Sequence, residues 1–268
     1  MLKLWGLIPT ATCPLCSHSQ CTLHHILVNC SFAREQKRYN WRHDSVLANI
    51  EPRLSKLISV VNERKKLPSE SETTRKSFAS CFVRAGHKRV SAKCPPSRGL
   101  LSIANDWQLL VDYDQKNIVF PPTICPASQR PDIVIWSRMS RRVILLELTC
   151  PAEEGMQAAQ TRKETRYVAL MDEIRNAQWS PELFTIEVGA RGLVGGSTFR
   201  TFVKLGFLAS EANSLCKSLS VVVARCSYAV YLAHNSPSHK DLLINDTTSA
   251  PSHQTSGLEH PWTSGQTP

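Results

Sequence analysis

The sequence has few glycines and no long apolar run, and each shortage excludes a class of protein. Only 11 of its 268 residues are glycine, whereas a collagen-like chain has glycine at about every third position. The longest apolar stretch, residues 219–233, contains Arg225 and is shorter than the ~20 residues that cross a bilayer as a helix. The first residues hold no sustained hydrophobic region. We therefore expect neither a membrane span nor a signal peptide.

Acidic residues are also scarce relative to basic ones. The chain has 22 Asp and Glu against 32 Lys and Arg, a net charge of +10, and this excess favours a polyanionic partner. It is pronounced in residues 81–98, which contain five basic residues and no acid. We predict that Arg84, Lys88 and Arg89 in this run contact the phosphates of such a partner. A solvated basic surface is the alternative interpretation.

The ten cysteines are unevenly distributed. Four lie within the first thirty residues and the other six are scattered, whereas secreted disulfide frameworks are dense in cysteine throughout. A tight cluster in a chain without a signal peptide indicates reduced thiols and a bound metal. Apolar residues make up 42% of the chain, which is enough for an ordinary folded core without disulfides.

The N-terminal cysteines have the spacing of a zinc knuckle. The segment reads CPLCSHSQCTLHHILVNC, and its Cys-x2-Cys-x8-His-x4-Cys spacing supplies the four N or S ligands that tetrahedral zinc takes. The predicted ligands are Cys13, Cys16, His25 and Cys30. His24 in place of His25, and Cys21 in place of another cysteine, remain open, as do buried thiols without a metal and a redox-active thiol pair. A segment this short has too little core to fold alone, so the zinc would be structural.

Composition and hydrophobic periodicity divide the chain into four regions. The predicted regions are a zinc knuckle at 1–33, a helical element and linker at 34–76, a larger domain at 77–234 and a disordered tail at 235–268. In the second region, apolar residues recur every three or four positions over 34–66, which predicts a helix that Pro52 kinks or interrupts. The tail is rich in Ser, Thr, Pro and His, a composition typical of disorder.

The larger domain alternates predicted strands and helices. Strands are predicted at 107–113, 118–120, 132–136, 143–149 and 183–188, and helices at 152–177, 197–214 and 219–233. This order predicts an α/β (α+β) fold, in which helices flank a small mixed sheet.

Two acids in this domain are placed to share one end of the sheet. Asp132 opens one predicted strand and Glu147 lies near the end of the next, so a hairpin would bring their carboxylates together. Two adjacent carboxylates on rigid strands suit Mg²⁺. Glu147 also interrupts the apolar run VILLELTC, where an unpaired buried carboxylate is costly; a glutamate facing water at the strand edge is the alternative. Lys163 on the following helix, flanked by Arg162 and Arg166, is the candidate cation for stabilising a phosphate.

The order of these motifs resembles a known family. The knuckle, the segment WRHDSVL with Arg42 and His43, the acids of RPD-x14-E and a downstream lysine follow one another along the chain. The same order is found at the C-terminal end of non-LTR retrotransposon polyproteins that carry a restriction-like endonuclease, a branch of the PD-(D/E)xK nuclease superfamily. The likeness covers about residues 5–210 and includes EVGARG at 187–192.

The resemblance implies a restriction-endonuclease-like fold and a nuclear enzyme that nicks target DNA, freeing a 3′-hydroxyl that primes reverse transcription. Asp132 and Glu147 would match the family's ligands of catalytic Mg²⁺, and Lys163 its catalytic lysine. The usual superfamily position for that lysine, two residues after the second acid, is Thr149 in this chain.

The resemblance also implies partners. The zinc knuckle together with Arg42 and His43 would match the parts that position nucleic acid, with DNA as the main partner and the element's RNA as a further one. No Tyr-x-Asp-Asp polymerase motif occurs, so we expect a C-terminal fragment or a truncated copy. A catalytically inactive, zinc-containing nucleic-acid-binding remnant is the alternative function, and a zinc-stabilised protein-interaction domain is a third.

Overall fold

The computed structural model describes residues 12–63, 99–114 and 117–235. The predicted linker, the predicted tail beyond residue 235 and the basic residues Arg84, Lys88 and Arg89 lie outside the described residues. The described part is a mixed α/β structure, in which helices flank a four-stranded mixed sheet and a Cys/His cluster lies at the N-terminal end. The predicted α/β class with a small mixed sheet is confirmed.

The sheet contains four strands in the order in which they occur along the chain. They are β1 (Gln108–Val111), β2 (Ile133–Ser137), β3 (Arg142–Thr149) and β4 (Ser180–Glu187). β1, β2 and β3 pair antiparallel, whereas β4 pairs parallel with β3 after a helical crossover. Val, Ile and Leu dominate β2 and β3, and every residue of β2 is buried, as is usual for strands covered on both faces.

Six α-helices occur in the part of the chain that the structure describes, and all but the short α1 belong to the layers around the sheet. They are α1 (Ser31–Glu35), α2 (Arg38–Glu63), α3 (Met156–Arg166), α4 (Val168–Asn176), α5 (Gly196–Leu205) and α6 (Ala209–Leu232). Side chains alternate between the two faces of a strand, and β3 shows this directly. Ile144 and Leu146 pack in a core that includes residues of α2, α5 and α6. Val143 and Leu145 pack in a second core with residues of α4.

Helix α2 supplies much of the first core. Leu47, Ile50 and Leu54 have no exposed surface and belong to the same cluster as the sheet residues. Their three- and four-residue spacing is that of an amphipathic helix. The helix predicted at 34–66 is present as α2 from Arg38, after a break at residues 36–37 that separates it from α1, and it continues through Pro52. The predicted boundary between the helical element and the larger domain therefore does not separate two cores, because α2 belongs to the core of the sheet.

Several predicted elements differ from the structure. Residues 118–120 form no strand; Phe120 is instead buried in the core beside α4, so its apolar character serves packing. The helix predicted at 152–177 is two helices that meet at Tyr167. The helix predicted at 197–214 ends early because Gly206, at a φ of 128°, terminates α5 in a conformation that glycine adopts readily.

Helix α6 is long and apolar enough to cross a membrane, judged by length and composition alone. The span Ala209–Asn235 contains a window with a mean hydropathy of 1.3, of which 39% is buried. The core helix of a folded domain passes the same test. Helix α6 packs along α2 and α5, which buries Leu215, Leu219 and Val223, whereas Val221, Tyr228 and Leu232 are exposed.

Candidate functional site

The Cys/His cluster predicted from the sequence is a compact group. One ligand atom each from Cys13, Cys16, His25 and Cys30 lies within 4.8 Å of the other three. The Cys16 Sγ is 3.2 Å from the His25 Nε2. Zinc–ligand distances of about 2.0–2.3 Å place tetrahedral ligand atoms about 3.3–3.8 Å apart, so a small contraction would let this group hold one ion. The cluster could therefore bind a metal such as zinc.

Local backbone geometry brings the first two cysteines together. The Ser17 N–H donates to the Cys13 carbonyl at 2.9 Å, and the Cys13 N–H donates to the His18 carbonyl at 2.8 Å. Ser17 has a φ of 58°, which closes the turn tightly after Cys16. The two-residue spacing thus forms the loop that a zinc knuckle requires.

The structure favours His25 over His24 as the fourth ligand. The His24 Nδ1 pairs with Glu154 Oε1 at 2.9 Å, and its Nε2 lies 3.1 Å from the side-chain amide of Asn29. Burial, aided by the charges of His18 and His24, lowers the pKa of His25. Its imidazole is therefore neutral at physiological pH, which is the form that ligates a metal.

The thiols of this region differ in acidity. Burial raises the pKa of Cys30 to about 11, and burial with the charge of Cys13 raises that of Cys21 to about 11. Burial also opposes ionisation of Cys16, but hydrogen bonds from the His18 backbone and the neighbouring thiols outweigh it and lower the Cys16 pKa. A bound cation would be needed to deprotonate Cys30 near neutral pH.

Asp132 and Glu147 meet at one end of the sheet. The β2–β3 register pairs Ile133 with Leu146, which places Asp132 opposite Glu147. The Asp132 backbone N–H donates to Glu147 Oε2 at 3.2 Å, and the Leu148 N–H donates to Asp132 Oδ2 at 2.7 Å. The hairpin therefore brings together the two acids that the sequence analysis singled out.

The amine of Lys163 completes this acid site from helix α3. Its Nζ donates to Glu147 Oε1, so the lysine lies against the more deeply buried of the two acids. Arg162 and Arg166, which flank it, are exposed. Among these three cations, Lys163 is the one that the structure brings to a carboxylate of the site.

His43 contacts the acid site from helix α2. Its Nε2 is 3.3 Å from Asp132 Oδ2 and its Nδ1 is 3.1 Å from Asp44 Oδ1. Burial alone would lower the pKa of His43, but hydrogen bonds to the two carboxylates and their charges raise it to about 9. The ring is therefore an imidazolium at neutral pH, held between two acids.

The two acids of the site have opposite pKa shifts. Burial raises the pKa of Glu147 and the charge of Asp132 adds to this, with Lys163 offsetting only part. Burial also opposes ionisation of Asp132, but the hydrogen bond and charge of His43 outweigh it and lower its pKa. Glu147 is only 1% exposed, so any cation brought close to it lowers the cost of its charge.

The donor set of this acid site suits a hard divalent cation. Two strand-borne carboxylates supply the oxygen ligands that Mg²⁺ prefers. The same oxygens already accept hydrogen bonds from Lys163, from His43 and from two backbone N–H groups. Two protein cations thus balance the charges of Asp132 and Glu147, and a metal ion would compete with them for these oxygens.

No protein-family model matches this chain, and no curated protein matches it significantly. The geometry of the Cys/His cluster and of the acid site is therefore the basis for a functional interpretation.

Arg42 lies in the interior, contrary to the prediction that it contacts nucleic acid. It is 1% exposed, and its Nη1 donates to the Leu27 carbonyl and the Ser227 hydroxyl, both at 3.0 Å. Its Nη2 donates to the Cys150 carbonyl at 3.3 Å. A guanidinium enclosed by these partners cannot reach a phosphate. Instead, Arg42 joins the Cys/His region, α6 and the end of the strand that carries Glu147.

Two tyrosines near these sites were not assigned roles from the sequence. Tyr167 is fully buried, and its hydroxyl donates to the Arg130 carbonyl at 3.2 Å. Burial and the charge of Glu147 raise the pKa of Tyr167, so the phenol stays protonated. Tyr167 lies four residues after Lys163, a spacing that places the two side chains next to each other on a helix, and this was the sequence feature that could have indicated its position. The Tyr39 hydroxyl accepts a hydrogen bond from the Cys30 N–H at 3.0 Å, a contact for which the sequence offered no motif.

Proposed function

We propose that this chain is a metal-dependent DNA endonuclease of the restriction-like type found in non-LTR retrotransposons, acting on target DNA in the nucleus. The observation that carries the proposal is the meeting of Asp132, Glu147 and Lys163 at one end of the sheet. These residues come from two adjacent strands and the following helix. That order matches the family resemblance, in which the lysine has moved from the strand to the next helix.

Each residue of the site has a distinct task in this proposal. Asp132 and Glu147 would hold Mg²⁺, which when bound lowers the pKa of a water ligand and neutralises charge on the phosphate. Lys163 supplies a positive charge that stabilises the negative charge growing on the phosphate in the transition state. His43 keeps Asp132 ionised and fixes its orientation through their hydrogen bond.

The reaction is hydrolysis of one phosphodiester bond. A water oxygen forms a bond to phosphorus while the bond from phosphorus to the 3′ oxygen breaks. That oxygen leaves with a proton as a free 3′-hydroxyl, and the phosphate stays on the 5′ end of the strand segment downstream of the nick. A 3′-hydroxyl is the end that reverse transcription would extend in the family that this chain resembles.

The Cys/His cluster has a structural task in the same proposal. A zinc ion held by Cys13, Cys16, His25 and Cys30 would fix the N-terminal segment against α2 and α6. Tyr39 and Arg42 of α2 bond directly to backbone carbonyls of this segment, at Ile26 and Leu27. A knuckle docked in this way would contact DNA, and the element's RNA where present, from a fixed position.

Nicking of supercoiled plasmid tests the catalytic proposal. We expect the zinc-loaded protein to convert supercoiled plasmid into the open circular form only when Mg²⁺ is added. Asp132→Asn and Glu147→Gln should each reduce the initial nicking rate by at least about 100-fold, because each removes a metal ligand. Lys163→Met should reduce it by about 10- to 100-fold, because it removes one charged contact to the transition state.

The control for these variants is Asp172→Asn, a surface acid paired with Arg175 away from the site. It should nick at the wild-type rate, and all variants should keep the wild-type circular dichroism spectrum and zinc content. Wild-type nicking by folded Asp132→Asn or Glu147→Gln protein would refute the assignment.

A second candidate function is supported by the internal charge balance of the acid site. Lys163 and His43 already neutralise the two acids, so the site is complete as an ion-pair network without any metal. A chain with this network and a zinc knuckle would bind nucleic acid without cutting it. Salt-dependent gel shifts of duplex DNA, together with no Mg²⁺-dependent nicking under any condition that preserves folding, would favour this function over catalysis.

A further inference from the structure

A basic site lies at the far end of β3 from the acids. A cavity of about 450 Å³ is lined by Thr123, Arg138, Arg141 and Trp179. The two arginines belong to the turn between β2 and β3, and Trp179 follows α4. Both arginines are exposed, and neither forms an ion pair within the part of the chain that the structure describes. Their positive charge is therefore available to a ligand.

Carboxylates around this turn are already engaged with other groups. Asp106 accepts hydrogen bonds from the Ser137 hydroxyl at 2.5 Å and from the Met139 N–H at 2.9 Å. Glu182 pairs with Arg142 at 3.1 Å and with Lys204 at 3.2 Å. Asp106 also accepts a hydrogen bond from the Arg138 backbone N–H, but neither carboxylate pairs with the guanidinium of Arg138 or Arg141 among the described residues.

The backbone bordering the cavity is held in conformations that favour glycine. Arg141 has a φ of 52°, and Gln178, which precedes Trp179, has a φ of 63°. Hairpin turns usually place Gly, Asn or Asp in such positions. The Arg141 guanidinium lies over the Trp179 ring, 5.4 Å from its centroid, an arrangement that orients the guanidinium. The positive φ is a conformational cost for an arginine, whereas its stacking on the indole is favourable and fixes the guanidinium beside the cavity.

The cavity and the acid site lie on the same side of the sheet. Trp179 packs in one core with Val143 and Leu145, and Glu147 lies on that face because residues two apart along a strand point the same way. A rise of about 3.3 Å per residue separates Arg141 from Glu147 by about 20 Å along the strand. That length corresponds to about six base pairs of duplex DNA at 3.4 Å each.

We propose that Arg138 and Arg141, beside Trp179, form a second contact for nucleic-acid phosphates, about six base pairs from the acid site. The inference rests on the proposed function, since it takes DNA as the ligand. Guanidinium groups bind phosphate oxygens through paired hydrogen bonds. Contacts to the phosphate backbone fix the register of a duplex without reading its bases. The cavity would thus add a phosphate contact at the hairpin end of β3, beyond α4, which covers the sheet face between the cavity and the acids.

The test measures binding without cleavage. Fluorescence anisotropy with a labelled duplex of about 20 base pairs, in Mg²⁺-free buffer, gives the affinity of the zinc-loaded protein as a function of salt. The variant is Arg138→Ala/Arg141→Gly. Losing two phosphate contacts lowers the slope of log affinity against log salt by about 1.8, so the ratio of wild-type to variant affinity shrinks about 12-fold between 50 and 200 mM salt.

A charge-matched control separates a specific contact from a general loss of positive charge. Arg200→Ala/Arg225→Ala removes two exposed arginines from α5 and α6, on the other side of the sheet. Its salt slope should stay within about 0.5 of the wild-type value. An unchanged slope in Arg138→Ala/Arg141→Gly, or an equal decrease in the control, would overturn the proposal.

The single variant Arg141→Gly distinguishes a ligand contact from a structural role. Because it relieves a positive φ, its melting temperature should equal or exceed that of the wild type, while its affinity for the duplex falls. A lower melting temperature with unchanged affinity would overturn the inference. A second outcome would also overturn it. NMR could show that inorganic phosphate binds at this turn and that Arg141→Gly abolishes this binding, while the affinity of the variant for the duplex is unchanged.

The outcome is also distinguishable from that of the proposed function. Mg²⁺-dependent nicking by a protein whose DNA affinity is insensitive to the turn variant would refute the cavity contact alone. DNA binding that depends on both arginines, in a protein that never nicks, would refute the endonuclease alone and leave the contact supported.

Discussion

The contact between helix α2 and the acid site makes the stability of the protein depend on pH in a defined direction. The hydrogen bonds and charges of Asp132 and Asp44 outweigh burial and raise the pKa of His43 from 6.5 to about 9. A group whose pKa is raised by folding stabilises the folded state, because that state binds the proton more tightly than the unfolded state does. This contribution is complete below about pH 6.5 and is lost as the pH rises through about 9.

The magnitude follows from the size of the shift. A difference of about 2.5 pKa units, at 1.36 kcal/mol per unit, gives about 3 kcal/mol of unfolding free energy. The His43 side chain is 23% exposed, so solvent screens its ion pairs only in part. A loss of about 3 kcal/mol is a large fraction of the free energy of unfolding of an ordinary domain, and it is measurable.

Urea unfolding of wild type and His43→Gln measures this effect. Both proteins are zinc-loaded, reduced and free of Mg²⁺, and are compared from about pH 6 to about pH 10. We compare the unfolding free energy of the wild type with that of the variant at each pH. The difference between the two proteins should be about 3 kcal/mol larger at about pH 6 than at about pH 10.

Two further variants make the pH test specific. Ser45→Ala, a neutral change on the same helix, should reproduce the wild-type pH profile. Asp44→Asn should move the loss of stability to a lower pH, because only Asp132 then supports the imidazolium. A difference between wild type and His43→Gln that stays constant, or that grows as the pH rises, would refute the placement of His43 between the two acids.

Three further predictions concern metal binding and stability. Cys30→Ala should lower the zinc content measured by elemental analysis from about one equivalent to near zero, whereas Cys21→Ala should keep it, since Cys21 lies outside the cluster. Arg42→Met should lower the free energy of unfolding in urea by about 3 kcal/mol, because three acceptors lose a charged donor. Wild-type stability of this variant would contradict the structural role of Arg42. Gly206→Ala should cost about 1–2 kcal/mol at its φ of 128°, while Gly155→Ala, where an added Cβ meets open space, should melt within a few degrees of wild type.

Features set by short stretches of chain were predictable from the sequence. The spacing of the cysteines and His25 led directly to the cluster, because its ligands lie within eighteen consecutive residues. The meeting of Asp132 with Glu147 followed from hairpin geometry alone, since a single turn joins their strands. Lys163 was predicted as the cation because it lies on the next helix along the chain.

Features set by long-range packing were not predictable in the same way. His43 contacts Asp132 across 89 positions of sequence. The apolar spacing of α2 puts His43 on the same face as Leu47 and Ile50, but it does not indicate that this end of the helix lies beside Asp132. Arg42 is adjacent in sequence to His43 but is enclosed by three other parts of the chain, so its charge suggested a surface role that packing excludes. Phe120 has the composition of a strand residue, but its segment fills a core without pairing.

The burial of Arg42 has a consequence for where a bound duplex would be cut. The Arg42 guanidinium donates hydrogen bonds to the carbonyls of Leu27 and Cys150. It therefore links the N-terminal segment that carries the Cys/His cluster to the end of the strand that carries Glu147. The distance between a DNA duplex bound by that segment and the two acids would therefore be constant. If the chain nicks DNA as proposed, the nick would lie at a fixed distance from the bound segment, whatever the bases at that position.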